Sequence, residues 1–531
     1  MPVQQKTKQC VSMVRGFTNG RVYTSFAPVR VAEAFAVAGN RIAYVGESRA
    51  VEKIVSILGG DVVDLRGRVV LPGFIDAHMH LLSLGIQLNS LDLRGVTSIE
   101  ELKRVLKEFA LRCGVRWVVG RGWDQELFKE KRFPTRWDLD EAVSSKPVYL
   151  SRVCGHMAVL NSLAMKILRL EELLNSNVLR DDMGIAIGLV RESAAFTAWE
   201  RVVSEMPLED LEKSILDAAK HLASLGVTAV DVAGCSLEEL KALLSLWSKG
   251  LLPIRVRVHV SLEVFNVLKK TGITFQFGDE FLKVIGVKLF IDGSLGARTA
   301  WLSKPYADDP SNTGVCVTPP STLEAVAREA DSMGLQLAVH AIGDKALDAA
   351  LAVYSRLSRK RHRIEHASLV RDDQLELLEK VKPVLVVQPH FVIGDWWVVG
   401  RVSVERVRLV YRFRDFVDRG IPVAFSTDAP VEPANPWETI YAAVARGMYE
   451  GVQLYSYTQD QALPANIALH LYTHGSAYAL GEEELLGSID VGKLADFIII
   501  DRDPLEVEPR DLKNVRVLET YVSGKRVWPE P

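Results

Sequence analysis

Between residues 69 and 427, short runs of apolar and β-branched residues alternate with longer stretches of helical apolar spacing, and this rhythm constrains the fold more than any other feature. Candidate buried strands fall within 69–80 and at 227–233, 254–260, 285–292, 335–340, 361–366, 384–388 and 422–427, which makes eight. Strands separated by helices pair in parallel, and eight such units close into an α/β fold, the (β/α)8 barrel. The run 208–225 has helical spacing, and Ser321 with Glu324 three residues on reads as a capping box that opens another crossover helix.

One interval breaks the rhythm. A strand-helix-strand step needs only about 30 residues, whereas the first candidate strand ends near 80 and the second begins near 227. An inserted α+β subdomain over about 95–205 is therefore predicted, with strand-like runs at 117–120 and 147–152 and helical runs at 99–111 and 162–174. Because loops that follow barrel strands emerge at the catalytic face, the insertion is expected on that rim. Short alternating runs at 21–23, 41–45 and 61–64 are matched in texture by 496–501 and 515–522, with a Gly524-Lys525 turn after them. The predicted organisation is a β-sandwich built from residues 1–70 and 485–531, flanking a barrel over 71–484.

Lys plus Arg total 64 and Asp plus Glu 67, a net charge of −3 that points to neither nucleic acid nor an anionic membrane as partner. Residues 48% hydrophobic and 25% charged sit at the globular average, against disorder or a fibrous repeat. No run reaches the roughly 18 apolar residues that span a bilayer, and the start, Met-Pro-Val-Gln-Gln-Lys, is not apolar, so a cytoplasmic protein is expected. The cysteines, Cys10, Cys113, Cys154, Cys235 and Cys316, are scattered and odd in number, as free thiols would be.

The chemistry begins at Asp76-Ala77-His78-Met79-His80. Residues two apart on a strand share a face, so both imidazoles can converge on one ion, although two hydrogen-bonded core histidines would read the same way. Other metal-competent side chains close later strands: Lys288 on the fourth, His340 on the fifth, His366 on the sixth and Asp428 after the eighth. His366 lies 26 residues after His340, close to one strand-helix unit, and Asp428 a further 62 on, or two units. All would lie on one rim.

That constellation, with Leu71-Pro72-Gly73-Phe74-Ile75-Asp76-Ala77-His78-Met79-His80, resembles the metal-dependent amidohydrolase superfamily. The run 288–299 with its Asp292-Gly293-Ser294-Leu295-Gly296, the segment around His340, Gly155-His156 with Asn161-Ser162, and Gly122-Trp123-Asp124 are similar to the branch that includes N-substituted formamide deformylase. The segment 487–496 resembles the closing sandwich signature of that family, while Ser426-Thr427-Asp428-Ala429-Pro430 stands where a glycine-serine-aspartate-x-proline run is more usual.

The resemblance implies a binuclear site, with His78, His80 and Asp428 on one ion, His340 and His366 on the other, and Lys288 bridging as an N-carboxylated lysine formed with carbon dioxide. Two divalent ions, a hydroxide, Asp428 and cationic Lys288 would sum to roughly +3, whereas a carbamate brings this to roughly +1. One ion with an unmodified Lys288 is the competing arrangement. Zinc is the default for imidazole and carboxylate ligands, ahead of iron, cobalt or manganese. The implied roles continue with Asp428 as carrier of the proton from nucleophile to leaving nitrogen and His156 as a contact to substrate or oxyanion.

Asp124, Arg152, Glu192 and Trp123 in the insertion, and His390 after the seventh strand, are substrate-binding candidates; His259 more simply bonds a neighbour. Phe128, Trp137, Trp396, Trp397 and Trp437 share with Trp123 the choice between lining an apolar pocket and packing a core.

The expected activity is hydrolysis of a non-peptide C–N bond in a small substituted amide or formamide, with a homodimer left open. The rivals are a mononuclear ring deaminase, an ester or lactone hydrolase, and a non-catalytic binding module. A deaminase typically carries a glutamate three residues after the fifth-strand histidine, and residue 343 is glycine.

Overall fold

A computed structural model describes residues 14–153, 157–172, 177–273, 275–358 and 361–530. The eight barrel strands are β1 (Phe74–Met79), β2 (Val227–Cys235), β3 (Arg255–Val260), β4 (Leu282–Phe290), β5 (Gln336–Ala341), β6 (Arg363–His366), β7 (Val384–Val387) and β8 (Val423–Phe425). They pair in parallel in chain order from β1 to β8. Just past the strand ends the sheet closes on itself, where Asp428 N donates to His78 O (2.9 Å) and His80 N to Ala429 O (2.8 Å). Both faces of such a strand are covered, so β1, β3, β6 and β7 are buried at every residue; β7 is a continuous apolar run, whereas β3 and β6 carry buried charged residues as well. The predicted capping box is displaced: the helix Pro320–Ser332 opens on Pro320, whose fixed φ suits the first helical position, and Ser321 lies inside its first turn.

Both chain ends enter the sandwich. One sheet pairs Val14–Thr18 with Ala34–Ala38 and Gly60–Asp64. The other runs Lys525–Trp528, Val517–Val522, Phe497–Ile500, Val69–Pro72, Arg21–Phe26 and Val29–Ala32, so the antiparallel pairing of Phe497–Ile500 with Val69–Pro72 joins the last strands of the chain to the first. Phe17, Phe35, Phe497 and Tyr521 pack the shared core, Phe17 on Phe35 at 4.8 Å and Phe497 on Tyr521 at 4.5 Å between ring centroids.

The inserted unit comprises Leu81–Ala218 with Leu237–Gly250, wider than the predicted 95–205. It starts early because the helix Leu81–Leu88 packs closely on the helix that opens at Leu208: a Cβ at Gly85 would fall 1.9 Å from Ser214 O. Its sheet orders Val178–Arg180, Ala186–Arg191, Met157–Leu160, Val148–Arg152, Val118–Trp123 and Leu91–Asp92. The helix Ile99–Arg112, capped by Ser98 accepting from Glu101 N, buries Leu102 and Leu106 in the core of this unit. The helical run predicted to 174 stops at Ile167. Among the described residues no helix is long and apolar enough to cross a membrane.

Candidate active site

His78 and His80 close β1, and Asp428 follows β8, its neighbour across the barrel seam. His78 Nε2 lies 3.4 Å and His80 Nε2 3.2 Å from the same oxygen, Asp428 Oδ1. The three candidate ligand atoms lie within 4.8 Å of one another. Asp428 Oδ1 is buried without a hydrogen-bond partner, an expense that a cation between these groups would remove. Lys288 Nζ stands 3.5 Å from His78 Nε2 and 4.7 Å from the Phe290 ring centroid. The His366 ring is 5.1 Å from His78 and 4.4 Å from His340, which brings all six candidate ligands into one cluster at the strand ends.

Three imidazoles are each held by one nitrogen. His78 Nδ1 donates to Glu365 Oε2 (2.5 Å), His366 Nδ1 to Gln388 Oε1 (2.8 Å) and His340 Nε2 to the Gly293 carbonyl (2.9 Å). One ring nitrogen of each therefore keeps its lone pair for an ion, with its orientation fixed by the other. Burial, with Lys288 adding to it, pulls His340 down to about 3, and burial with His340 pulls His366 well below its ordinary value. Both are the neutral imidazoles that ligate metals. Burial lowers Lys288 to about 8. It works against the Asp428 carboxylate too, but His78 and His80 hold that group well below the usual range. His78 is raised by Glu365 and Asp428 against burial and Lys288, and carboxylates that favour a proton there favour other cations as well.

Backbone conformation matters at two of these residues. Asp428 (φ +59°) and His366 (φ +74°) both lie in the left-handed region. Arg363 and Glu365 share one face of β6, so strict alternation would turn His366 away from them; the left-handed turn brings its ring back to the cluster.

Several supporting groups were not singled out from the sequence. Asp76 accepts from Thr427 N (3.1 Å) and from the Thr427 hydroxyl, and burial raises it to about 6. Asp76 is legible afterwards as the first member of an Asp-x-His-x-His face. Asp292 accepts from the backbone N–H groups of Trp301, Ile342 and Gly343 and ties the loop after β4 to the end of β5. Ser426, where the family pattern has glycine, accepts from Gln388 Nε2 (2.9 Å) and so steadies the partner of His366.

His390 bonds Glu432, and Phe391 beside it lies 6.5 Å from the His366 ring. His259 bonds Asp231, a neighbour on β2, as expected. Asp124 accepts from Arg152 Nη2 (2.7 Å) within the insertion, Glu192 opens the helix Glu192–Ser204, and His156 lies outside the described residues. Trp123 is fully buried in the core of the insertion, its indole N–H donating to Leu150 O. Phe128 and Trp437 are likewise core residues, whereas Trp396 is 68% exposed.

Against known proteins, residues 61–528 match the model of the Amidohydrolase family. YtcJ of Bacillus subtilis (strain 168) is 30% identical over 484 residues, 88% of this chain and 90% of its own. N-substituted formamide deformylase of Arthrobacter pascens is 26% identical over 532 residues, 95% of this chain and 96% of its own. The crystal structure of an uncharacterized metal-dependent hydrolase from Pyrococcus horikoshii OT3 superposes with a TM-score of 0.87 at 43% identity, covering 94% of this chain and 99% of that one. Nearly the whole chain is matched, its strand ends carry the histidines, lysine and aspartate of the resemblance, and the chain belongs to the amidohydrolase family.

Proposed function

We propose that this protein hydrolyses a C–N bond other than a peptide bond, in a small substituted amide or formamide, with divalent metal held at the strand ends. The observation that carries the reading is the buried, unpartnered Asp428 Oδ1 facing two imidazole nitrogens. His78, His80 and Asp428 would hold one ion, zinc by its preference for this donor set, and His340 and His366 a second, with Lys288 as an N-carboxylated bridge. When bound, such ions supply Lewis acidity, polarising the substrate carbonyl and making water acidic enough to attack near neutral pH. Asp428, ionised and at the edge of the cluster, takes the proton of the attacking water and returns it to the departing nitrogen. The amide reading is supported by the deformylase of Arthrobacter pascens, which matches along nearly its whole length.

His156 is proposed as a substrate contact on the resemblance alone. Unchanged kinetic constants in His156→Ala would remove it from the mechanism.

Ring deamination is disfavoured at one position. The place of the deaminase glutamate is Gly343, where a Cβ would lie 2.1 Å from Trp301 O, so no acid fits without moving the loop.

The test is metal content per chain on protein purified without chelator, together with intact mass under native conditions. Two ions and about 44 Da of carbon dioxide on the Lys288 peptide are expected, followed by turnover of N-substituted formamides. One ion and an unmodified lysine would replace the binuclear site by a mononuclear one. Full activity after complete metal removal would overturn the mechanism.

A further inference from the structure

The interior of a (β/α)8 barrel is ordinarily filled by branched apolar side chains. Here β2, β3 and β6 instead contribute Asp231, His259, Arg363 and Glu365, all with no solvent exposure. Arg363 grips both oxygens of Glu365, through Nε and Nη2 at 2.8 Å each, and Nη2 also donates to Ala77 O (2.7 Å). Its Nη1 bonds Asp231, which accepts from His259 Nδ1 at 2.7 Å. On the far side His259 Nε2 meets Gln336 Oε1 of β5 at 3.1 Å. Gln336 Nε2 donates to the carbonyls of Arg361 and Ala479, so its amide oxygen is the atom turned to His259. Gly286 makes room for this ring, since a Cβ there would lie 2.5 Å from His259 Cδ2.

Buried ionic groups are a poor route to stability, because desolvation offsets their attraction, and their best-attested use is to impose one arrangement on a site. The arrangement imposed here ends on a candidate ligand. Glu365 Oε2 accepts from His78 Nδ1, and the other nitrogen, Nε2, is thereby the one turned to Asp428 and Lys288. Glu365 alone is free to rotate about its terminal bond; the two-pronged grip of Arg363 removes that freedom, and Asp231 with Ala77 O immobilises Arg363 in turn.

We infer that Glu365, Arg363, Asp231 and His259 form a chain of positioning residues that presents His78 Nε2 to a divalent ion. The inference rests on the metal reading above and concerns residues that touch neither ion nor substrate, apart from Glu365, which touches the ligand.

The test uses cobalt(II) on the metal-free full chain, with affinity from competition against a chelator, geometry from the visible absorption spectrum, and Tm of the metal-free variants as the control for folding. Glu365→Gln is expected to weaken cobalt about 10- to 100-fold and to alter the spectrum. Asp231→Asn should do the same to a smaller degree, since it acts through Arg363. Asp496→Asn breaks the buried Arg255–Asp496 pair elsewhere; it should lower Tm while leaving cobalt affinity and spectrum as in the parent. Parental affinity and spectrum in Glu365→Gln and Asp231→Asn would overturn the inference, as would an equal loss in Asp496→Asn. If Glu365→Gln fails to fold, Asp231→Asn and His259→Gln decide by the same criteria. A parent chain that binds no cobalt overturns the metal reading and this inference together.

Discussion

Asp428 combines one unpartnered carboxylate oxygen with a left-handed backbone, a conformation that costs a non-glycine residue of order 1 kcal/mol or more and that aspartate and asparagine tolerate best. Asp428→Asn therefore removes the charge without adding backbone strain. We expect kcat to fall by about 10²- to 10⁴-fold, the range for losing a general acid-base, with Tm of the metal-free chain little changed. Steady-state kinetics beside a melting curve checks this, and full activity with metal bound would dismiss the proton role. At this scale the six ligand candidates and their shared rim were legible from residue types at strand ends, but how each side chain is brought in and held was not. His366 reaches the cluster only through φ +74°, and the supports Glu365, Gln388 and Asp76 are set by contacts 22 to 351 residues distant along the chain. Trp123 is the converse case: an aromatic near a recognised motif could pack or line a pocket, and the structure shows it fully buried.

Among the elements, the turn Leu471–Gly475 is π-helical and lies between the helices Ala465–His470 and Ser476–Leu480. The rings of His470 and His474 stack across it at 5.1 Å. Burial, with His474 adding to it, lowers His470 from 6.5 to about 4 in the folded chain. The unfolded chain takes up this proton first, so stability should decline as pH falls from about 6.5 to about 4 and level off below. Urea unfolding at several pH values compares the parent with His470→Asn, in which that part of the acid sensitivity should disappear; identical pH slopes would rule the pair out as its source. Strand existence was the most legible feature at this scale, because short runs rich in β-branched residues stand out between stretches of helical spacing, even where buried charges interrupt them as in β3 and β6. Helix starts were less so: Pro320 took the position that Ser321 was expected to cap.

Across the whole molecule, the two chain ends depend on each other. Asp496 meets the fully buried Arg255 in a two-pronged pair, Nε at 2.7 Å and Nη2 at 2.9 Å, and Phe497–Ile500 sits in the middle of a six-stranded sheet. A chain ending at residue 495 should not fold cooperatively: it loses three strands of that sheet and leaves Arg255 without its carboxylate, a loss of about 3–5 kcal/mol for a buried pair. Circular dichroism and gel filtration check this, and a soluble truncated chain with the parent's Tm would contradict it. Chelation should also lower Tm, since an ion bound only by the folded chain at a hundredfold excess over its Kd contributes about 2.7 kcal/mol. Calorimetric scans with and without chelator measure the difference, and coincident scans would argue against a resident ion.

The sequence by itself determined the barrel, its sandwich drawn from both ends, the presence of an insertion and the residue types at the rim, because each is written in local periodicity, in turn residues or in a motif. Tertiary structure decided the rest. It set where the insertion begins, since helix 81–88 packs against residues distant in sequence, and which aromatics pack rather than line a pocket. It also set how each imidazole is held. The charged layer from Glu365 to His259 is the clearest case: Arg363 and Glu365 pair within β6, but Asp231, His259 and His78 join them only when β1, β2, β3 and β6 are closed into one barrel.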